Sequence, residues 1–278
     1  MRPIIHKAML FIALAGTGGL AWSQQRPLQT EDAATLPLGS MRVQVGTEFL
    51  QGQTFRLSGL KGDLFRHGVM GVFIGVGSAV EFQMEGTLLN SLHIAERIPA
   101  FSSPELEVSG DTTRSVGDLV LGTKMRLVKE RLGMPAIAFR FAVELPNAGN
   151  QKGLSNDETN FYASLLAAKQ IGRLRGMASL GMAILGDPTA TSSQDDLLTY
   201  GLGGFYRLHR QVDLAAEVCG RTGPGGPGTD DQSHVRLGLR IHAGNLSIDA
   251  AAVNGLTRDD GKAGFTFGLS YQFSLFHP

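Results

Sequence analysis

Charged side chains recur at alternate positions of this chain, on stretches whose other positions are apolar. Glu48, Glu81, Glu85, Asp118, Lys124, Arg126, Arg140, Glu144, Asp213, Glu217, Arg236, Arg240 and Asp249 make up the row. Both signs are present. A mixed row on one face of a sheet either lines an aqueous pore that selects solutes or fills a narrow lumen with ion pairs. His234 and His242 share a face with Arg236 and Arg240. An imidazole can ligate a metal or act as a base. No carboxylate or second His stands at ligand spacing from either, so both read as in-facing polar residues. Cys219 is the one cysteine of the chain. It cannot make an internal disulfide, and its alternating context makes it a small in-facing packing residue.

A second grouping is acidic. Asp157-Glu158, Asp195-Asp196, Asp230-Asp231 and Asp259-Asp260 each end a polar connection. If the strands that follow begin at one height, their carboxylates ring one mouth. Lys129, Arg131, Arg173, Arg175, Arg207 and Arg210 fall in or beside the opposite connections. Such a rim draws cations and repels anions; alternatively it keeps the loops soluble or binds divalent ions that bridge surface lipid. Residues 223–228 fit G-x-G-x-x-G, but they hold two prolines and open no helix, so they form a loop and not a nucleotide site. G-x-S-x-G, H-E-x-x-H and the Walker loop are absent. No catalytic, cofactor or metal residue is assigned, and the chain is not expected to be an enzyme.

The elements that position these rows are strands. In residues 263–276, Phe265, Phe267, Leu269, Tyr271, Phe273 and Leu275 share one parity, while Thr266, Gly268, Ser270, Gln272 and Ser274 share the other. A period of two with one wholly apolar face is a strand. A last strand of this kind fits a barrel in which it pairs with the first and turns its apolar face to lipid. Phe273 ends the unbroken apolar row and is the expected aromatic anchor, rather than Phe276. Similar alternation recurs along the chain, and connections alternate between short and long. The short ones fall near Gly77, Arg131, Gly172, His209 and Gly244; the long ones near Gly52, Ile98, Gly149, Thr189, Gly225 and Arg258. The count is about twelve strands, with both termini on the short-turn side. This predicts an all-β fold, a transmembrane antiparallel barrel with short periplasmic turns and longer extracellular loops.

Composition agrees. The 278 residues carry 25 basic and 25 acidic side chains, so no excess charge points to nucleic acid. Glycine is abundant, and charged residues make up only 18%. Residues 1–23 read as a cleaved signal peptide, with a basic start, an apolar centre and small residues at Ala21 and Ser23. Residues 24–40 are polar with two prolines and predict a loose periplasmic lead-in, followed by the barrel over 41–278. The one Trp lies in the signal, so Phe and a few Tyr must serve at the membrane interfaces.

From Gly117 onward the runs GDLVLGTKMRL, PAIAFRFAVELPNAG, NFYASLLAAKQIG and LRGMASLGMAILGDP follow in order. This stretch, 117–188, resembles the MetA-pathway phenol-degradation family of outer-membrane barrels. The resemblance implies a channel for small solutes, aromatic ones among them, and brings no catalytic residues. The combined expectation is an exported outer-membrane barrel that contacts lipid, engages the assembly machinery through its last strand and passes small molecules. A structural barrel without conduction is the alternative. A lipid-modifying barrel enzyme is a third reading, which would need a Ser–His pair at the lipid face.

Overall fold

An alternating strand presents one row of side chains to each side of its sheet, and a sheet in lipid can leave no edge unpaired. The computed structural model meets both demands; it describes residues 26–188, 194–223, 231–258 and 260–275. The signal segment, 1–23, lies outside the described residues, as does Phe276. The strands are β1 (Ser40–Phe55), β2 (Leu60–Gly75), β3 (Val80–Arg97), β4 (Thr112–Ser115), β5 (Leu119–Val128), β6 (Ala136–Leu145), β7 (Asn160–Ile171), β8 (Leu174–Gly186), β9 (Gln194–His209), β10 (Val212–Thr222), β11 (Gln232–Ala243), β12 (Leu246–Gly255) and β13 (Ala263–Ser274). Sequence neighbours pair antiparallel except β4 and β5, which both pair with β3, and β1 pairs with β13 from Ser40↔Ser274 to Gln51↔Ala263, which closes the ring.

The ring has twelve positions because β4 and β5 share one. β3 pairs with β5 over Val80–Glu85 and with β4 over Asn90–His93. Between them the backbone closes on β3, where the Gly117 N–H donates to the Thr87 carbonyl at 2.8 Å. A Cβ at Gly117 would come within 2.8 Å of the Thr87 Cβ, so this step needs glycine.

Short turns lie on the side where β1 begins and β13 ends, and Gly172 and Gly244 take positive φ there. The region near Gly52 departs from the expected long connection. β1 and β2 run through it with a register shift at Leu50/Gln53, leaving only residues 56–59 between them. Residues 95–114, expected as one long connection, hold the end of β3 and the start of β4. At the loop end Leu60, Leu64, Leu92 and Ile94 are buried under Leu106, Val108 and Leu154, so two loops fold over the β2–β3 wall.

The outer wall is apolar. On β13 Phe265, Phe267, Leu269 and Tyr271 are 37–50% exposed, while Thr266 and Ser270 on the other parity are buried. Phe141, Leu165, Leu180, Leu202, Leu237 and Leu239 continue this exposed belt around the ring. Such a surface is costly in water and favourable against hydrocarbon. Phe273 shares the outward parity and stacks beside Tyr271, ring centroids 5.9 Å apart.

The inside of the ring is filled. Residues 26–39, whose polarity predicts a loose periplasmic segment, instead run within the lumen. Leu28, Thr30, Glu31, Asp32, Ala33 and Leu36 are all 5% exposed or less. Leu28 and Ala33 pack on an inner apolar seat of Ala136, Ala138, Leu166, Ala168, Met177, Phe205 and Ala215 from β6 to β10. The polar half of the segment meets the charged row, and that match buries it.

Candidate functional site

The lumen and its plug form the site. Five groups of contacts tie residues 26–39 to the wall. The Asp32 carboxylate accepts from Arg175 of β8, from Nε at 2.8 Å and Nη2 at 2.6 Å. Its Oδ1 also accepts from the Ala34 N–H at 2.8 Å, which turns the plug back on itself. Glu31 meets Arg140 and Lys124, and accepts from Gln83 Nε2 at 2.8 Å. Glu217 of β10 works in the opposite sense: its two oxygens accept the plug N–H groups of Gln29 at 2.7 Å and Thr30 at 2.8 Å. Glu81 accepts the Leu36 N–H at 2.8 Å. At the far end Arg26 lies 3.5 Å from Asp249 and donates to Thr266 Oγ1 at 2.9 Å.

These contacts are specific but polar. Each buried ion pair recovers in attraction roughly what its desolvation costs, so it fixes geometry more than it adds stability. The wall itself is held by a continuous ladder of backbone hydrogen bonds. The plug has no such ladder; Gly39, where it joins β1, donates to the Gly75 carbonyl at 2.8 Å and accepts from the Leu275 N–H at 2.7 Å.

The charged row is distributed as follows. Glu48 accepts from Arg236 at 2.7 Å and from Arg66 at 3.0 Å. Glu81 lies 3.1 Å from Lys124, and Glu85 accepts from Arg140 Nη2 at 3.0 Å. Asp213 accepts from Arg207 at 3.0 Å and lies 2.8 Å from His242 Nε2. The Arg240 guanidinium sits 3.8 Å over the Phe205 ring. Glu144 accepts from Tyr162 Oη at 2.7 Å and Asn160 at 2.9 Å near the loop end. Two members stand apart from the lumen. Arg126 donates to the Ser78 carbonyl at the periplasmic turn. Asp118 lies between β4 and β5, where it accepts from the N–H groups of Asn147 and Ala148 and from Ser155 Oγ, and so fastens the 146–159 loop.

The acidic pairs do not form one uniform rim. Asp157 and Asp196 are exposed, and Glu158 and Asp195 are half-buried. Asp260 is buried and accepts from the Ser233 N–H at 2.8 Å and Thr257 Oγ1 at 2.7 Å. Asp231 accepts from the Gly223 N–H at 3.1 Å. Those two hold loops together. Asp230 and Asp259 lie outside the described residues. On the opposite side, Arg175 is buried against Asp32 and Glu130 rather than exposed. Partial burial opposes the charged form of Glu130. The Gln170 N–H and the Arg175 guanidinium outweigh it and hold that carboxyl below the usual range.

Local spacing could not show what the ring brings together. Cys219 faces His234 across the β10–β11 pair, with Sγ 3.2 Å from Nε2. Glu217 stands on the same face, so His234 has the neighbouring carboxylate that its own strand lacks. Arg26, Glu31 and Asp32 were absent from the charged row because the lead-in has no strand period to place them.

No family model matches the chain, and no curated protein matches it. Solved structures do. The chain is similar to the crystal structure of the COG4313 outer membrane channel from Pseudomonas putida F1, at 14% identity and a TM-score of 0.63, covering 86% of this chain and 97% of that one. The translocator domain of autotransporter NalP from Neisseria meningitidis matches at 12% identity and 0.48, covering 84% and 88%. A Pseudomonas aeruginosa FadL homologue matches at 12% identity and 0.34, covering 85% and 89%. Ring closure, strand count, apolar outer belt and the first of these likenesses converge on one fold, that of a twelve-stranded outer-membrane β-barrel.

Proposed function

We propose that this chain is an outer-membrane channel for small solutes, and that residues 26–39 are its removable plug. The observation that carries the reading is the contrast inside the ring. The wall is closed by a backbone ladder, while the obstruction, from residue 26 to 38, is held through side chains. A lumen of mixed charge suits polar or amphipathic solutes of modest size. Membership in the phenol-degradation family, suggested by the 117–188 stretch, adds aromatic compounds to that class. The likeness to the Pseudomonas putida channel supports the same reading.

The test is conductance in planar bilayers, comparing the full mature chain with a variant lacking residues 26–39. Heat-modifiable migration checks that both are folded. The full chain should show brief or small openings, and the deletion sustained ones. Silence from both folded proteins would favour the second reading, a structural barrel whose ion-paired lumen does not conduct.

A further inference from the structure

We infer that Glu217, Cys219 and His234, with Gln29 of the plug, form a site for a borderline-soft divalent cation of the zinc type, and that the bound ion staples the plug to the wall. The register of β10 against β11 sets Cys219 directly opposite His234. Glu217 precedes Cys219 by two residues, so all three side chains point inward. Their ligand atoms lie within 4.8 Å of one another, and the thiol and imidazole are already at 3.2 Å. Zinc bonds of about 2.0–2.3 Å in a tetrahedron place ligand atoms roughly 3.3–3.8 Å apart, so the separations to Glu217, each no more than 4.8 Å, need close by at most about 1.5 Å. A fourth donor is at hand: Gln29 Oε1 lies 3.7 Å from Cys219 Sγ.

The chemistry is selective. A thiolate, an imidazole and a carboxylate suit Zn²⁺ or Co²⁺ and disfavour Mg²⁺ and Ca²⁺. The charges close as well. On binding, the Cys219 thiol releases its proton to the buffer, and the resulting thiolate and Glu217 neutralise a divalent ion. Arg236, 3.7 Å from Glu217, keeps its own counter-ion in Glu48 at 2.7 Å. The site borders a cavity of about 300 Å³ lined by Tyr162, Ser164, Arg221 and His234 above Gln29 and Thr30, which gives an ion room to enter.

The same carboxylate is the plug anchor. Ligating carboxylates commonly accept outer hydrogen bonds that orient them, and those of Glu217 come from the Gln29 and Thr30 N–H groups. An ion here would therefore bind the plug twice, through the Gln29 side chain and through the hydrogen bonds to its own ligand.

The experiment titrates the full mature chain, folded in detergent, with Co²⁺ and then Zn²⁺. One equivalent of Co²⁺ should give a near-ultraviolet thiolate-to-metal absorption that Zn²⁺ displaces. Cys219→Ser should abolish the band. His234→Ala should weaken binding by at least the ten- to hundredfold typical of losing even an outer partner. Amide exchange at Gln29 and Thr30 should slow with Zn²⁺ in the wild type and stay unchanged in Cys219→Ser. Absence of the band in the folded wild type, or binding that survives both substitutions, overturns the site. Metal binding without slower exchange at those two amides overturns the staple. None of these readouts uses conductance, so a barrel that never conducts leaves the inference intact, and a conducting barrel that binds no ion refutes it alone.

Discussion

The sharpest test of the plug is Asp32→Asn. The substitution keeps the shape of the side chain and removes its charge. Asp32 and Arg175 are 1% and 4% exposed in their side chains, and Arg175 makes two donor contacts to the carboxylate, at 2.6 and 2.8 Å. Removing one partner of a buried pair costs about 3–5 kcal/mol, because the other charge is left buried. Two features place this case at the lower end. Asn can still accept from the Ala34 N–H, and Glu130 stays beside Arg175. A loss of about 3 kcal/mol, at about 1.4 kcal/mol per factor of ten, shifts the docking equilibrium of the plug on the order of a hundredfold. The wall loses no backbone hydrogen bond. The assay is single-channel recording at fixed voltage, paired with amide exchange over residues 26–39. The open fraction should rise and exchange should quicken, while migration of the unboiled protein on a gel stays as in the wild type. Asp157→Asn, in an exposed loop position, serves as control. Unchanged open fraction and unchanged exchange in a folded Asp32→Asn barrel would refute the plug argument.

The barrel itself should be heat-modifiable, so boiled and unboiled samples migrate differently on a gel; recovery of the mature chain in a soluble periplasmic fraction would defeat the membrane assignment. Phe273→Ala should lower the yield of folded barrel more than Phe276→Ala, since Phe273 completes the outward row with Tyr271; equal or reversed yields would reject it as the anchor. In the plug-deleted channel, the exposed and half-buried acids at the mouth should favour cations. Neutralising Asp157, Glu158, Asp195 and Asp196 together should reduce that preference, measured as the reversal potential in a salt gradient. The preference should also fade between 0.1 M and 1 M salt, as the screening length falls from about 10 Å to about 3 Å. An anion-selective plug-deleted channel, or no change on neutralisation, would sink this prediction.

Much of the wall was legible in one dimension. The alternation at 135–145 predicts a strand that the structure places at Ala136–Leu145, and residues 174–185 correspond to Leu174–Gly186. The pleat is covalent geometry, so side chains two apart share a face whatever the rest of the chain does. The count of about twelve follows from that period and from the alternation of short and long connections, and the β1–β13 register shows the last strand pairing with the first. Harder to read were places where the backbone leaves the simple period. The hairpin at 56–59 is tighter than its glycines suggest, because a register shift lets β1 continue past Gly52.

The plug and the partners of the inward row were not legible. Glu31 and Asp32 sit in a segment without periodicity, and Asp32 meets Arg175 across 143 residues of sequence. Glu217 reaches plug amides across 188 and 187 positions. Cys219 and His234 read separately as a packing residue and a polar residue, and become neighbours only once the register of β10 and β11 is set. Periodicity records which side chains share a face of one strand. Which of them meet across a lumen depends on strand tilt, shear and the curvature of the closed ring, and on a segment that folds back into it. Those are properties of the whole closed sheet, so an inward row was apparent from the residues alone, while its partners awaited the barrel.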